Sequence, residues 1–310
     1  MRILSIDGGG IRGIIPAMVL AAVEANLGRA ISEVFDLVAG TSTGGIIALA
    51  LTMPEDGKPA WRAEQLVELY EKEGTTIFPR SPWPLFRTVQ SAFDARYSAK
   101  GIEEVLLKYF GEARLKDALT PVIVSSYELE SRQPFFFKSA KAKANPANDF
   151  LMRDVARATS AAPTYFEPCQ LKTSDPVGYY TLVDGGVFAN NPSMCAWAEA
   201  SSDGTPADVR LLSLGTGELC RPLHYGEVKD WGLLHWARPI LNVVMDGVSD
   251  ATHYQLGEML GSARYLRITH TLDIAKDDMD DASTTNLHAL KVQAQRLIDE
   301  HGDELFKFCA

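Results

Sequence analysis

Three short strings in this chain hold residue types that can do chemistry together: Asp7-Gly8-Gly9-Gly10-Ile11-Arg12-Gly13, Gly40-Thr41-Ser42-Thr43-Gly44 and Val183-Asp184-Gly185-Gly186-Val187. The second follows the apolar run Val34 to Ala39 and precedes a helical pattern from Gly45 to Met53. In that setting Ser42 sits on a tight strand-to-helix turn, where Gly40 and Gly44 relieve the crowding and the hydroxyl projects at a helix N-terminus as a nucleophile. An ordinary helix N-cap is the plainer reading of the same serine. The first string lets the backbone approach a ligand closely and turns several amide N–H groups toward it, so it suits a negative group. A tight turn without a ligand is its structural alternative.

A serine needs a base. His224, His235, His253, His270, His288 and His301 lie in no glycine-flanked motif, and only His224 and His235 merit a test. Asp184 ends a β-type run, and the C-terminal ends of strands carry the site in open α/β sheets, so it can meet Ser42 across 142 residues. A carboxylate is a weak base near its usual pKa of about 3.9, and it requires burial together with strong oxyanion stabilisation. Taken alone, Asp184 also fits an Asx turn, and Asn190-Asn191 before Pro192 fits a helix cap.

The first string supports two other chemistries. Gly8, Gly10 and Gly13 satisfy GxGxxG, but no strand-terminal acid follows about 20 residues later, and Asp36 falls inside its expected strand. The glycine loop 8–13 is also similar to the phosphate loop of sugar kinases and actin-like ATPases, although Ile11 and Arg12 stand where those proteins carry a Thr or Ser. An ATP-dependent kinase or ATPase using 7–13 and 213–217 is therefore a competing function, and a non-catalytic storage or scaffold protein is a third.

The elements that must position these strings alternate. Ile3–Ile6, Val34–Val38, Val122–Ser126, Phe135–Lys138, Tyr179–Val183, Arg210–Leu214 and Tyr265–Ile268 read as strands. Helical patterns run over about 15–28, 43–53, 62–73, 100–110, 151–161, 192–201, 236–259 and 284–301. This order predicts an α/β fold with a mainly parallel sheet covered by helices. The Pro/Ser-rich stretches Pro79–Pro84 and Lys172–Pro176 are too short for interdomain linkers, so residues 1–310 are expected to form one domain.

Composition narrows the partners. With 30 basic and 40 acidic residues the net charge is −10, which disfavours nucleic acid as a ligand. The hydrophobic share of 46% and charged share of 23% fit a globular chain and exclude a disordered or membrane-embedded body. Cys169, Cys195, Cys220 and Cys309 form no CxxC pair and have no histidine at metal-ligand spacing, so they read as reduced, buried residues and no metal is expected. The start lacks the pattern of a signal peptide, and the longest apolar stretch, Ile46–Leu51, is too short to span a bilayer, which together predict a cytoplasmic protein.

Taken in order, the strings DGGGIRG at 7–13, GTSTG at 40–44 and DGG at 184–186 resemble the patatin-like phospholipase family. The resemblance continues through ARATSAAPTYFEP at 156–168, DGGVFANNP at 184–192, SLGTG at 213–217 and YLRI at 265–268, nearly the whole chain. It implies a three-layer α/β/α fold and hydrolysis of acyl esters of phospholipids or related lipids by a Ser-Asp dyad, without metal or organic cofactor. By motif match Ser42 becomes the nucleophile and Asp184 the base. The amides of Gly8, Gly9 and Gly10 become the oxyanion hole, Arg12 braces the loop, and Gly13, Gly40, Gly44, Gly185 and Gly186 support the turns. Gly186 stands where some relatives have Ala. A lipid substrate implies transient contact with a membrane surface. The aromatic and proline-rich segments 78–93 and 231–236 are candidates for a lid or an interfacial patch, with packing on the core as the commoner fate of such residues.

Overall fold

The computed structural model describes residues 1–79, 97–173, 178–202, 204, 208–218, 222–236 and 239–310. Its strands are β1 (Arg2–Ile6), β2 (Leu37–Thr41), β3 (Pro54–Glu55), β4 (Lys58–Pro59), β5 (Val122–Glu128), β6 (Gln133–Lys138), β7 (Cys169–Lys172), β8 (Tyr179–Asp184), β9 (Arg210–Leu214) and β10 (Tyr265–Ile268). Its α-helices are α1 (Ile14–Leu27), α2 (Ile31–Val34), α3 (Thr43–Thr52), α4 (Ala63–Ile77), α5 (Ala99–Phe110), α6 (Ser139–Ala144), α7 (Met152–Thr159), α8 (Gly186–Ala189), α9 (Ser193–Ala200), α10 (Tyr225–Val228), α11 (Leu233–Trp236), α12 (Pro239–Leu260) and α13 (Thr284–Cys309).

The main sheet has the order β10-β9-β1-β2-β5-β8-β7, with β6 also paired to β5. Strands β10, β9, β1, β2 and β5 are parallel, as the β/α alternation requires, whereas β6 and β8 each run antiparallel to β5. Alternate strand residues face opposite layers. Leu4, Ile6, Val38, Val124, Leu212 and Leu214 pack with α1, α3, α4, α5, α7 and α13. Ile3, Leu37, Ala39, Ile123 and Leu211 pack with α9 and α12. The result is the three-layer α/β/α architecture with a mainly parallel sheet.

The register on β5 sets the site. Strand β2 pairs with residues 122–125 of β5, β8 with 126–128, and β6 with 123–128. Since β6 overlaps both, it occupies one edge of β5, and β2 and β8 share the other. Thr41 lies opposite Ser125 and Asp184 opposite Ser126, so the C-terminal ends of β2 and β8 meet head-on.

Four expectations change. Val34–Val38 is not one strand: Ile31–Val34 forms α2, Asp36 receives the Arg2 N–H at 2.7 Å before β2, and β2 begins at Leu37. Asp36 thus sits at the sheet end opposite Ser42. Strand β7 was not expected, because its alternating burial leaves Gln170 and Lys172 exposed in a polar-looking run. The helix expected over 284–301 continues to Cys309. The most apolar window is Gly10–Leu27, not Ile46–Leu51; with a mean hydropathy of 1.4 over 18 residues it meets the length and composition of a membrane span. Here it is core, packed against α4 and α13, and a helix covered on several sides is apolar all round.

One buried carboxylate ties these helices together. Glu24 on α1 accepts Ile31 N–H at the start of α2, and Ala63 N–H and Arg62 Nε–H at the start of α4. Removing it leaves helix-end donors without a partner, so Glu24→Ala is expected to cost about 3 kcal/mol or more in urea unfolding, with Glu24→Gln intermediate.

Candidate active site

The strand ends bring Ser42 and Asp184 together from opposite directions. Ser42 has φ 55° and ψ −125°, a strained conformation for a residue with a side chain, between the last residue of β2 and the first of α3. The turn is this tight because Gly40 and Gly44 nest: a Cβ on Gly40 would lie 2.2 Å from Gly44 O, and one on Gly44 would lie 2.2 Å from Ile6 O of β1. Hydrogen bonds over-determine the strained residue. Ser42 N–H donates to Thr159 Oγ1 at 2.9 Å, and Thr159 Oγ1–H donates to Ser125 O on β5 at 2.6 Å. Thr41 Oγ1 donates to Ala189 O, and its oxygen also pairs with Ser125 Oγ, each at 2.6 Å.

Asp184 is 1% exposed. Its Oδ1 accepts Gly186 N–H at 2.7 Å, and its own N–H donates to Ala161 O. Burial raises its carboxyl pKa to about 7, against the opposing pull of hydrogen bonds from the Ser42 hydroxyl and the Gly186 amide. Among the described residues no cation contributes to that balance. The carboxyl is therefore poised near neutrality beside the Ser42 hydroxyl, a suitable state for exchanging a proton with it.

The glycine loop completes the site from β1. Gly9 and Gly10 line the same cavity as Ser42 and Asp184, and among the described residues their amides have no acceptor. Gly8 differs from the expectation: its N–H donates to Asn190 O at 3.0 Å, because the loop closes against the residues following α8. Gly10 has φ 58° and lies so near Met279 O that a Cβ would be 2.2 Å away. Arg12, buried, donates from Nε to Gly9 O at 3.3 Å and from Nη1 to Gly217 O at 3.4 Å. Gly13 faces the hydrogen-bonded hydroxyls of Thr43 and Tyr70. Gly185 lies against Ser125 of β5, and Gly186 against Met245.

Two interactions under the loop give structural roles to the 213–217 and 265–268 strings, to which the sequence assigned no bracing role. Thr216 Oγ1 donates to Gly8 O at 2.6 Å, so the 213–217 turn braces the 7–13 loop. Asp7 Oδ2 accepts Arg267 Nη2–H at 2.7 Å, and Arg267 Nη1 donates to Ser213 Oγ. Such a buried pair is costly to break on one side only. Asn190, whose sequence reading was structural, also lines the cavity.

The cavity runs from these polar groups into apolar walls, Leu69, Tyr70, Ile77 and Phe78 of α4 and its C-cap, Ile102, Val105, Leu106 and Phe110 of α5, and Phe166. Its empty space, counting what is open to solvent, is about 880 Å³. Neither His224 nor His235 lines it: both are exposed, and His235 stacks on Trp231. Of the segment 78–93, Phe78 packs against Tyr97 and Phe166, and residues 80–93 lie outside the described residues. In 231–236, Trp231 and Trp236 are half-buried against one another.

A folded carboxyl pKa of about 7 against an ordinary 3.8 has a consequence for stability. The raised value means that ionisation opposes folding: the cost is absent below about pH 4, grows as pH rises, and is complete above about pH 7, where it reaches about 4 kcal/mol. Asp184→Asn removes it while keeping an acceptor for Gly186 N–H. The variant is expected to have a higher Tm than the wild type at pH 8, with the gap closing toward pH 4; calorimetry across that range checks it.

Comparison with known proteins follows the same lines. The family model described as Patatin-like phospholipase matches residues 4–197. Patatin-like protein 2 of Oryza sativa subsp. indica is 32% identical over 97% of this chain and 84% of its own length. Patatin-like protein 2 of Arabidopsis thaliana is 32% identical over 99% and 83% respectively. A Solanum tuberosum protein named probable inactive patatin-3-Kuras 1 is 31% identical over 98% and 88%. Since relatives this similar include one so named, the chemistry of this chain has to be argued from its own residues.

Proposed function

The chain belongs to the patatin-like phospholipase family, whose activity is lipid acyl hydrolysis, and on that premise we propose that it cleaves carboxylic esters of membrane lipids, in the manner of a phospholipase A or lysophospholipase, through an acyl-Ser42 intermediate. The observation that carries this reading is the contact of Ser42 with a buried carboxyl of pKa about 7 at the head of an apolar cavity. The family gives no support to a kinase or ATPase use of the 8–13 loop.

In the proposed cycle the acyl chain lies between α4 and α5, which sets its ester carbonyl at Ser42. Asp184 takes the hydroxyl proton as Ser42 Oγ attacks the carbonyl carbon, and the negative oxygen receives the Gly9 and Gly10 amides. Collapse breaks the ester bond, and the protonated Asp184 returns its proton to the departing alcohol. Water then attacks the acyl-serine with Asp184 again as base, releasing the fatty acid. Arg12, Thr216 and the Asp7–Arg267 pair hold the amides in place throughout. The lipid substrate brings the protein into transient contact with a membrane surface.

Ser42→Ala is expected to abolish hydrolysis of a short-chain chromogenic ester and of phospholipid while the circular dichroism spectrum stays native. Asp184→Asn is expected to lower kcat by about 10²–10⁴-fold. Activity surviving in Ser42→Ala, or lost in His224→Ala or His235→Ala with Asp184→Asn intact, would remove the dyad.

The cavity makes its own demand. Leu106→Trp fills the space between α4 and α5, so kcat/KM for long-chain esters is expected to fall about tenfold or more relative to short-chain ones. Equal loss across a C4 to C16 ester series would show that the acyl chain lies elsewhere.

A further inference from the structure

Asn190 stands at the head of the cavity with hydrogen-bonding capacity that the fold does not use. Its backbone is tied to the glycine loop, since its carbonyl accepts Gly8 N–H at 3.0 Å. Its side chain is tied to α12, where Nδ2 donates to the buried Ser249 Oγ at 3.3 Å. Held at both ends, the amide reaches the dyad. A Cβ on Gly8 would lie 2.4 Å from Asn190 Oδ1 and 3.2 Å from Ser42 Cβ, and one on Gly186 would lie 3.4 Å from the same oxygen and 3.1 Å from Asp184 Oδ1. A methyl group at either glycine would therefore touch the Asn190 oxygen together with the nucleophile or the base. Among the described residues that oxygen receives no donor. Other polar side chains on the cavity wall are turned elsewhere: Thr43 and Tyr70 bond to one another, Ser160 Oγ donates to Ala156 O, and the Tyr109 hydroxyl donates to Glu73.

We propose that Asn190 is a catalytic residue of the second half of the reaction, its Oδ1 fixing the water that hydrolyses the acyl-serine; the inference rests on the lipid hydrolase reading above. A water attacking acyl-Ser42 has two protons to place and one lone pair to aim. Asp184 takes the first proton, and Asn190 Oδ1 accepts a hydrogen bond from the second, which leaves the lone pair directed at the acyl carbon. The new oxygen–carbon bond forms as Asp184 gains its proton, and the charge on the carbonyl oxygen meets the Gly9 and Gly10 amides. Collapse breaks the bond from that carbon to Ser42 Oγ while Asp184 returns the proton to Oγ, so a fatty acid leaves and the serine is free. The first half makes no such demand. The ester oxygen of the leaving group carries no proton until Asp184 supplies one, so an acceptor at Asn190 has nothing to hold while Ser42 attacks.

Asn190→Leu keeps the branched shape and removes the acceptor, whereas Asn190→Asp keeps an acceptor. With p-nitrophenyl butyrate, kcat/KM reports acylation and kcat reports deacylation of the activated ester. In Asn190→Leu, kcat/KM and the rate at which a fluorophosphonate labels Ser42 are expected to stay within about threefold of wild type. Its kcat is expected to fall about tenfold or more, with KM falling in step, and the butyryl group to accumulate on Ser42 in the intact-mass spectrum. Asn190→Asp is expected to recover kcat at high pH, with the midpoint moved upward because a second carboxylate disfavours ionisation of Asp184. A loss of kcat/KM and labelling in step with kcat in Asn190→Leu assigns the side chain to packing and overturns the proposal, as does an unchanged kcat. Either result in an enzyme whose wild type is labelled and turns over removes only the role of Asn190. A wild type that is neither labelled nor active on acyl esters removes the hydrolase reading itself, and this inference with it.

Discussion

Everything at the candidate site depends on two strand ends meeting on one edge of β5. Strand β2 runs parallel to β5 and stops at Ser125; β8 runs antiparallel and stops at Ser126. A parallel strand in the place of β8 would direct its C-terminus away from Ser42. The antiparallel entry directs it toward Ser42, and two residues far apart in sequence become neighbours without a long loop. Thr159, Ser125, Thr41 and Ser126 then join the junction with short hydrogen bonds, so that neither strand end shifts without breaking several. The strained Ser42 backbone is stable because it is held this way from several elements.

The same junction buries Asp184, and burial raises its carboxyl pKa. Asp184 has hydrogen-bond donors in Ser42 and Gly186 but, among the described residues, no cation beside it, so desolvation wins and the group titrates near neutrality. In the proposed mechanism this performs the task that a histidine performs in a triad, at a cost in stability whenever the carboxyl is ionised. In the same proposed mechanism the glycine loop answers the weak base with fixed donors, which burial makes effective. Its rigidity comes from beneath, through Thr216 and the buried Asp7–Arg267 pair.

Much of this was legible in the sequence, for physical reasons. Glycines at forced turns and β-branched runs between helical patterns reveal local structure, so β1, β5, β8, α3 and a mainly parallel sheet covered by helices could be read directly, while the three-layer class came from the family resemblance. Strand direction is not local. Nothing in Tyr179–Asp184 says whether the strand runs with β5 or against it, although the meeting of Ser42 and Asp184 depends on it. Hydrogen-bond traffic was equally hidden: Gly8 looks like Gly9 and Gly10, but its amide is taken by Asn190. The strand expected at Val34–Val38 was displaced because a single helical turn and the Asp36 contact with Arg2 consume its first residues. Helix α12 was expected from its period, but which side faces outward depends on the sheet.

The central claim is that a buried carboxyl, and no histidine, activates Ser42. The pH dependence of the rate at which a fluorophosphonate labels the protein, with the adduct mapped by mass spectrometry, tests it most directly. The expected result is a single adduct on Ser42, a second-order rate constant that rises with pH through a one-proton midpoint near 7, and collapse of that rate in Asp184→Asn. A rate that is flat from about pH 5 to about pH 9, or a midpoint unchanged in Asp184→Asn but abolished by replacing a histidine, would contradict it.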